Sequence, residues 1–131
     1  MPATITIRDE TPGAAAFHEW SLEVLTERLT VRELIRSRVY QEVQDYNQRQ
    51  TGDYQGLVQP TEAERTLNGC RLKQPRQIDW RKQFERAIAA FESNQVLVLI
   101  GDRQAESLDE EIAVGPAAQV TFLKLTLLVG G

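Results

Sequence analysis

At Thr30 the hydrophobic pattern of this chain changes period, and that change limits what it can fold into. Before it, Ala3-Thr4-Ile5-Thr6-Ile7-Arg8 alternates apolar with polar residues, which sets Ala3, Ile5 and Ile7 on one face of a half-buried strand. Asp9 to Ala15 holds the turn signal Thr11-Pro12-Gly13, and alternation resumes with Trp20, Leu22 and Val24 against Glu19, Ser21 and Glu23. The two runs read as an antiparallel hairpin. From Thr30 onward Val31, Leu34, Ile35, Val39, Val43 and Tyr46 recur at helical spacing, while Arg32, Glu33, Arg36, Arg38 and Glu42 fall mostly off that stripe. Thr30 and Glu33 form a capping box, each side chain satisfying a backbone N–H that the first helical turn leaves unpaired. A hairpin followed by a helix makes an α+β fold the expectation.

The first helix is expected to end in Asn47-Gln48-Arg49-Gln50-Thr51-Gly52, with Gly52 as a stop. Residues 52–78 carry Gly52, Gly56, Pro60, Gly69 and Pro75 with few apolar positions, so they read as an excursion from the core, with a short helical turn opened by Thr61 and Glu64. Asp79 caps a second helix whose Trp80, Phe84, Ala87, Ile88 and Phe91 share a face. Val96-Leu97-Val98-Leu99-Ile100 is a continuous apolar run too short for a helix, and reads as a covered strand. Residues 103–119 read as mostly irregular, anchored by Leu108 and Ile112 and turned by Gly115-Pro116 into a last strand, Val120 to Leu125. Ile5, Ile7, Trp20, Leu22, Leu34, Ile35, Val39, Leu97, Leu99 and Phe122 are expected to share one core, with the helix from Thr30 lying across the sheet.

The length of 131 residues suits one domain. One cysteine, Cys70, and one histidine, His18, supply neither an internal disulfide nor the four ligands of a structural zinc site, so no metal is expected. Arg71 and Lys73 beside Cys70 favour its thiolate, yet no histidine accompanies it in sequence, and it reads as an ordinary thiol. Fifteen basic against nineteen acidic residues leave a net charge of −4, the wrong sign for gripping phosphate backbones, so nucleic acid is not an expected partner. No apolar stretch reaches membrane-span length and residues 1–8 lack a leader's apolar segment, which makes the cytoplasm the expected compartment. There is no Ser, His and Asp arrangement and no phosphate-cradling glycine loop, so the chain is not expected to be an enzyme or to bind a cofactor itself.

The order hairpin, helix, strand, irregular anchor segment, final strand resembles the β-grasp fold. The series Leu97 to Gln104, Leu108-Asp109, Val120 to Leu125 and Gly130-Gly131 resembles the second half of a ubiquitin-like domain in the same order. Leu29-Thr30-Val31-Arg32-Glu33-Leu34-Ile35 is similar to the helix start of the small subunit of molybdopterin synthase and the thiamine sulfur carrier. The resemblance covers about residues 1–46 and 95–131. It implies a single ubiquitin-like domain over 1–131, a mixed sheet crossed by one main helix, with an inserted loop and second helix at about 47–94.

The resemblance also implies a chemistry. In this family an adenylating enzyme joins the terminal carboxylate to AMP from ATP and passes it on. Gly131 would supply the reacting carboxylate and Gly130 the slim step before it, because a tail threading a narrow channel has no room for a Cβ. Leu127, Leu128 and Val129 would position the tail, and Val98 and Leu125 fall where the family shows an exposed apolar patch to partners, with core packing as the other reading of both. Trp80, Phe84, Ile88 and Phe91 have the same two readings, a partner groove or core. The tail lacks the arginines of ubiquitin and is nearer the sulfur carriers in its apolar character. Three functions remain open: a protein modifier, served by an adenylating enzyme, a conjugating enzyme and a deconjugating protease; a sulfur carrier bearing a terminal thiocarboxylate; and a non-covalent β-grasp interaction module.

Overall fold

The computed structural model describes residues 3–11, 18–49, 57–58, 63–66, 69–72, 78–115 and 117–125. Along the chain run β1 (Ala3–Glu10), β2 (His18–Val24), β3 (Arg28–Thr30), α1 (Val31–Arg49), β4 (Ala63–Thr66), β5 (Gly69–Leu72), α2 (Trp80–Glu92), β6 (Val96–Ile100), β7 (Arg103–Gln104), β8 (Glu111–Ala113) and β9 (Gln119–Lys124). They fall into two compact units, one drawn from residues 1–34 and 90–127, the other from 35–89.

The first unit contains a five-stranded mixed sheet in the order β2-β1-β9-β6-β7. β1 pairs antiparallel with β2, Ile5 opposite Leu22 and Ile7 opposite Trp20. On its other edge β1 runs parallel to β9, and β9 is antiparallel to β6. The alternation of the two N-terminal strands is the cause of their one-sided burial: Ile5, Ile7, Leu22 and Val24 are buried, whereas Thr4, Ser21 and Glu23 are exposed. Trp20, expected in the core, is half-buried. Gly101 opens the two-residue turn between β6 and β7 with φ of 61°, a conformation that glycine adopts without a Cβ clash.

In β6 the structure corrects the expected phase. Val96 and Val98 are buried, and Leu97 and Leu99, expected in the core, are half-buried. The pairing decides it, because Val98 lies opposite Phe122 and both are fully buried, while Leu97 lies opposite half-buried Leu123. Residues 103–119 are mostly irregular, as expected, with two short strands among them. These are β7 and β8, and β8 pairs antiparallel with β3 so that buried Leu29 and Ile112 face each other. The expected anchors Leu108 and Ile112 are both buried.

The start of α1 has the expected box. The Thr30 N–H donates to Glu33 Oε1 at 2.9 Å and the Glu33 N–H donates to Thr30 Oγ1 at 3.2 Å. These bonds, the backbone one foremost, hold the exposed Glu33 carboxyl below its ordinary pKa. The Val31 and Arg32 N–H groups are taken by the carbonyls of Glu110 and Leu108. At the far end of α2, Asn94 adopts φ of 63°, the Asn94 N–H bonds the Phe91 carbonyl and the Gln95 N–H bonds the Ala90 carbonyl. That is a Schellman stop, and it turns the chain directly into β6.

The second unit contains Ile35–Arg49 of α1, Trp80–Ala89 of α2 and the β4–β5 hairpin. Ile35, Val39, Val43, Tyr46 and Ala87 are buried as their spacing predicts. Arg38 is not off the stripe as expected but buried, at 1% exposure, and Glu42 follows it inward. The two are a bidentate pair, with Arg38 Nη2 3.0 Å from Glu42 Oε2 and Nε 3.4 Å from Oε1. Two expectations for 52–78 also change. Ala63–Thr66 is a strand rather than a helical turn, and Leu57, Val58 and Ile78 are buried, so this stretch has core anchors of its own. The Leu57 N–H donates to Glu42 Oε1, and buried Gln83 donates to the Val58 carbonyl at 3.0 Å.

Candidate functional site

The expected reaction centre, Gly130 and Gly131, and the tail residues Leu127, Leu128 and Val129 lie outside the described residues. Leu125 is the last residue described before them. Its N–H donates to the Gln95 carbonyl at 2.9 Å, which fastens the chain one residue past β9, and its side chain is 42% exposed. Val98, for which an exposed patch and core packing were both open, is core: it has no exposed surface and lies opposite Phe122. The structure therefore separates this pair and removes Val98 as a surface contact.

The first unit has a groove of about 460 Å³ beside the start of β6. Arg32, Asn94, Leu97, Gln104, Glu106 and Asp109 contribute to its walls. Its one arginine is paired: Arg32 Nη1 lies 3.5 Å from Asp109 Oδ1. Ser107 Oγ accepts from the Asp109 N–H, and the Glu106 N–H donates to a Glu110 carboxylate oxygen. These are turn bonds, and nothing in them activates a nucleophile.

The second unit has a different cluster. Trp80, the first residue of α2, sits where the Asp79 cap fixes the helix start, with the Arg81 N–H donating to Asp79 Oδ1 at 3.0 Å. Arg36 and Arg81 place their guanidinium carbons 5.2 and 5.6 Å from the indole centroid, and Tyr40 meets the ring edge-on at 5.3 Å. Trp80 was expected on the α2 face as core or partner groove, and it is half-buried. The two arginines and Tyr40 were not singled out from the sequence. The signal present was the one-turn spacing of Arg36 and Tyr40 on α1.

Among the described residues no group of three or more His, Cys, Asp and Glu side chains is placed to hold a metal ion, and no helix is long and apolar enough to cross a membrane. Comparison with protein-family models, with curated proteins and with solved structures gives no match to this chain.

Proposed function

We propose that this chain is a ubiquitin-like β-grasp protein, activated at Gly131 by an ATP-dependent adenylating enzyme and attached to a target as a protein modifier. The observation that carries the reading is the strand order. β9, which leads toward the diglycine, lies between parallel β1 and antiparallel β6, in the sheet arrangement a β-grasp requires. The chain is fastened at Leu125, and the six residues that follow can span at most about 20 Å, enough to carry Gly131 away from the sheet into a partner's channel.

The reacting group is the Gly131 carboxylate, whether it ends the chain or is exposed by cleavage after it. A carboxylate oxygen attacks the α-phosphorus of ATP and pyrophosphate leaves. The acyl adenylate then gives its acyl group to a thiol of the enzyme and, finally, to an amine, with AMP and the thiol as leaving groups. The arginine-free tail favours a sulfur carrier as the second reading, in which sulfur replaces one terminal oxygen.

The test uses the full chain, ATP and the adenylating enzymes of the same cell. Trypsin cuts after Lys124, so a modified target lysine would carry the heptapeptide Leu125–Gly131 as its remnant. Finding that remnant on a lysine of another protein establishes the modifier. A terminal thiocarboxylate establishes the sulfur carrier. If neither forms, and a chain lacking Gly130 and Gly131 binds every partner of the intact one, a non-covalent module is left.

A further inference from the structure

The Arg36, Tyr40, Trp80 and Arg81 cluster lies wholly in the second unit and plays no part in the chemistry proposed for Gly131. Arg36, Tyr40 and Arg81 are exposed and Trp80 is half-buried. Among the described residues neither arginine has an ion pair. Of the carboxylates near them in sequence, Glu33 bonds with Thr30 and Asp79 accepts the backbone N–H of Arg81, and neither these nor Glu85 makes an ion pair with Arg36 or Arg81. In a chain of net charge −4, two uncompensated guanidinium groups on one indole stand against the general charge.

Stacking on an aromatic ring occupies the π-face of a guanidinium and leaves its N–H donors at the rim. A guanidinium that rests on an indole has less side-chain freedom to lose on binding than one held by nothing. Each planar fork matches a carboxylate, and the exposed ring of Tyr40 beside them offers an apolar surface. We propose that this cluster is a docking site for a short acidic peptide segment of a partner protein. Two carboxylates accept from the forks of Arg36 and Arg81, and an apolar side chain between them rests on Tyr40. A nucleic acid fits less well. Its affinity comes from neutralising many phosphates, which the chain's excess of acidic residues opposes, and the indole that would stack a base is already in contact with the two guanidinium groups.

The experiment titrates the full chain with a fluorescent peptide of alternating glutamate and leucine, with the same peptide carrying glutamine for glutamate, and with a uridine oligonucleotide. Anisotropy and tryptophan emission are read together. The expected result is saturable binding of the glutamate peptide that weakens as salt rises. The double variant Arg36→Gln/Arg81→Gln weakens it at least about tenfold, since each charge-assisted bond lost is worth about that factor. The thermal midpoint checks that the variant is folded. Should it not fold, Arg36→Lys/Arg81→Lys keeps the charge without the fork and is expected to weaken the glutamate peptide in the same direction. Equal binding of the two peptides, equal binding by wild type and the folded variant, tighter binding of the oligonucleotide, or no saturable binding would each overturn the proposal. None of these results bears on whether Gly131 is activated.

Discussion

Asn47 grips the backbone of Ile78 with both ends of its side-chain amide. Oδ1 accepts from the Ile78 N–H at 2.9 Å and Nδ2 donates to the Ile78 carbonyl at 3.0 Å, a pairing across 31 positions of sequence. Ile78 is buried, so both of its backbone groups need a protein partner. Asn47→Ala is expected to cost about 1–3 kcal/mol, two neutral hydrogen bonds, in urea denaturation. Asn47→Asp is expected to cost more, since the oxygen replacing Nδ2 would face the Ile78 carbonyl. Equal stability of Asn47→Asp and wild type would show that these bonds are replaced by water without loss.

The buried pair Arg38 and Glu42 makes a prediction of opposite character for single and double changes. Glu42→Ala leaves a guanidinium that is 1% exposed without its bidentate partner and is expected to cost about 3–5 kcal/mol. Replacing both with apolar residues of similar volume, Arg38→Met with Glu42→Leu, is expected to cost less than the single change, because the desolvation penalty disappears along with the attraction and the remaining loss is the acceptor of the Leu57 N–H. The double-mutant cycle reads the difference. A double variant less stable than either single one would mean that the pair is a net contributor to stability.

These two contacts also mark where the sequence stops being informative. The change of period at Thr30, the Thr30 and Glu33 box and the Asp79 cap are local signals, each confined to a few neighbouring residues, and the elements they predict are present. Val98 was not placed by such a signal, because β6 is apolar in both phases and only its pairing with Phe122 in β9 sets which side faces inward. β3 and β8 are three residues each, too short to display a period, and are stabilised by the non-local meeting of Leu29 with Ile112. Arg38 looked like a surface residue because burial of a charge depends on a partner, and nothing in the spacing of Arg38 and Glu42 distinguishes a buried pair from an exposed one. The gathering of Arg36, Arg81 and Tyr40 around Trp80 depends on two helices far apart in sequence. The diglycine is the reverse case, plain in the sequence and outside the described residues.

Acid is expected to weaken the start of α1 through Glu33. Its folded pKa is lowered by the bonds from Thr30, so the stability it contributes is present above its unfolded pKa and is lost as pH falls through the lowered folded value. Glu33→Gln is therefore expected to differ most from wild type at neutral pH and to converge with it in acid. Thr30→Ala removes the other half of the box and is expected to cost about 0.5–2 kcal/mol at neutral pH. Thermal midpoints of the two variants and wild type across the acid range check both. A gap between Glu33→Gln and wild type that widens toward acid would contradict the sign.

Val98 and Leu125 provide the sharpest separation between packing and recognition. Val98 is fully buried against the face that holds Phe122, so Val98→Ala is expected to cost about 1.5–3 kcal/mol from two lost methyl groups and the space they leave. Leu125 holds its place through a backbone bond to Gln95 that any residue but proline can make, and its side chain is 42% exposed. Leu125→Ala is expected to shift stability by no more than about 0.5 kcal/mol. If the exposed Leu125 side chain belongs to a surface that the adenylating enzyme touches, the alanine variant raises the KM for the protein substrate with kcat little changed, whereas Val98→Ala at a temperature where it remains folded leaves both unaltered. A Leu125→Ala variant activated as readily as wild type would confine tail recognition to the residues beyond it.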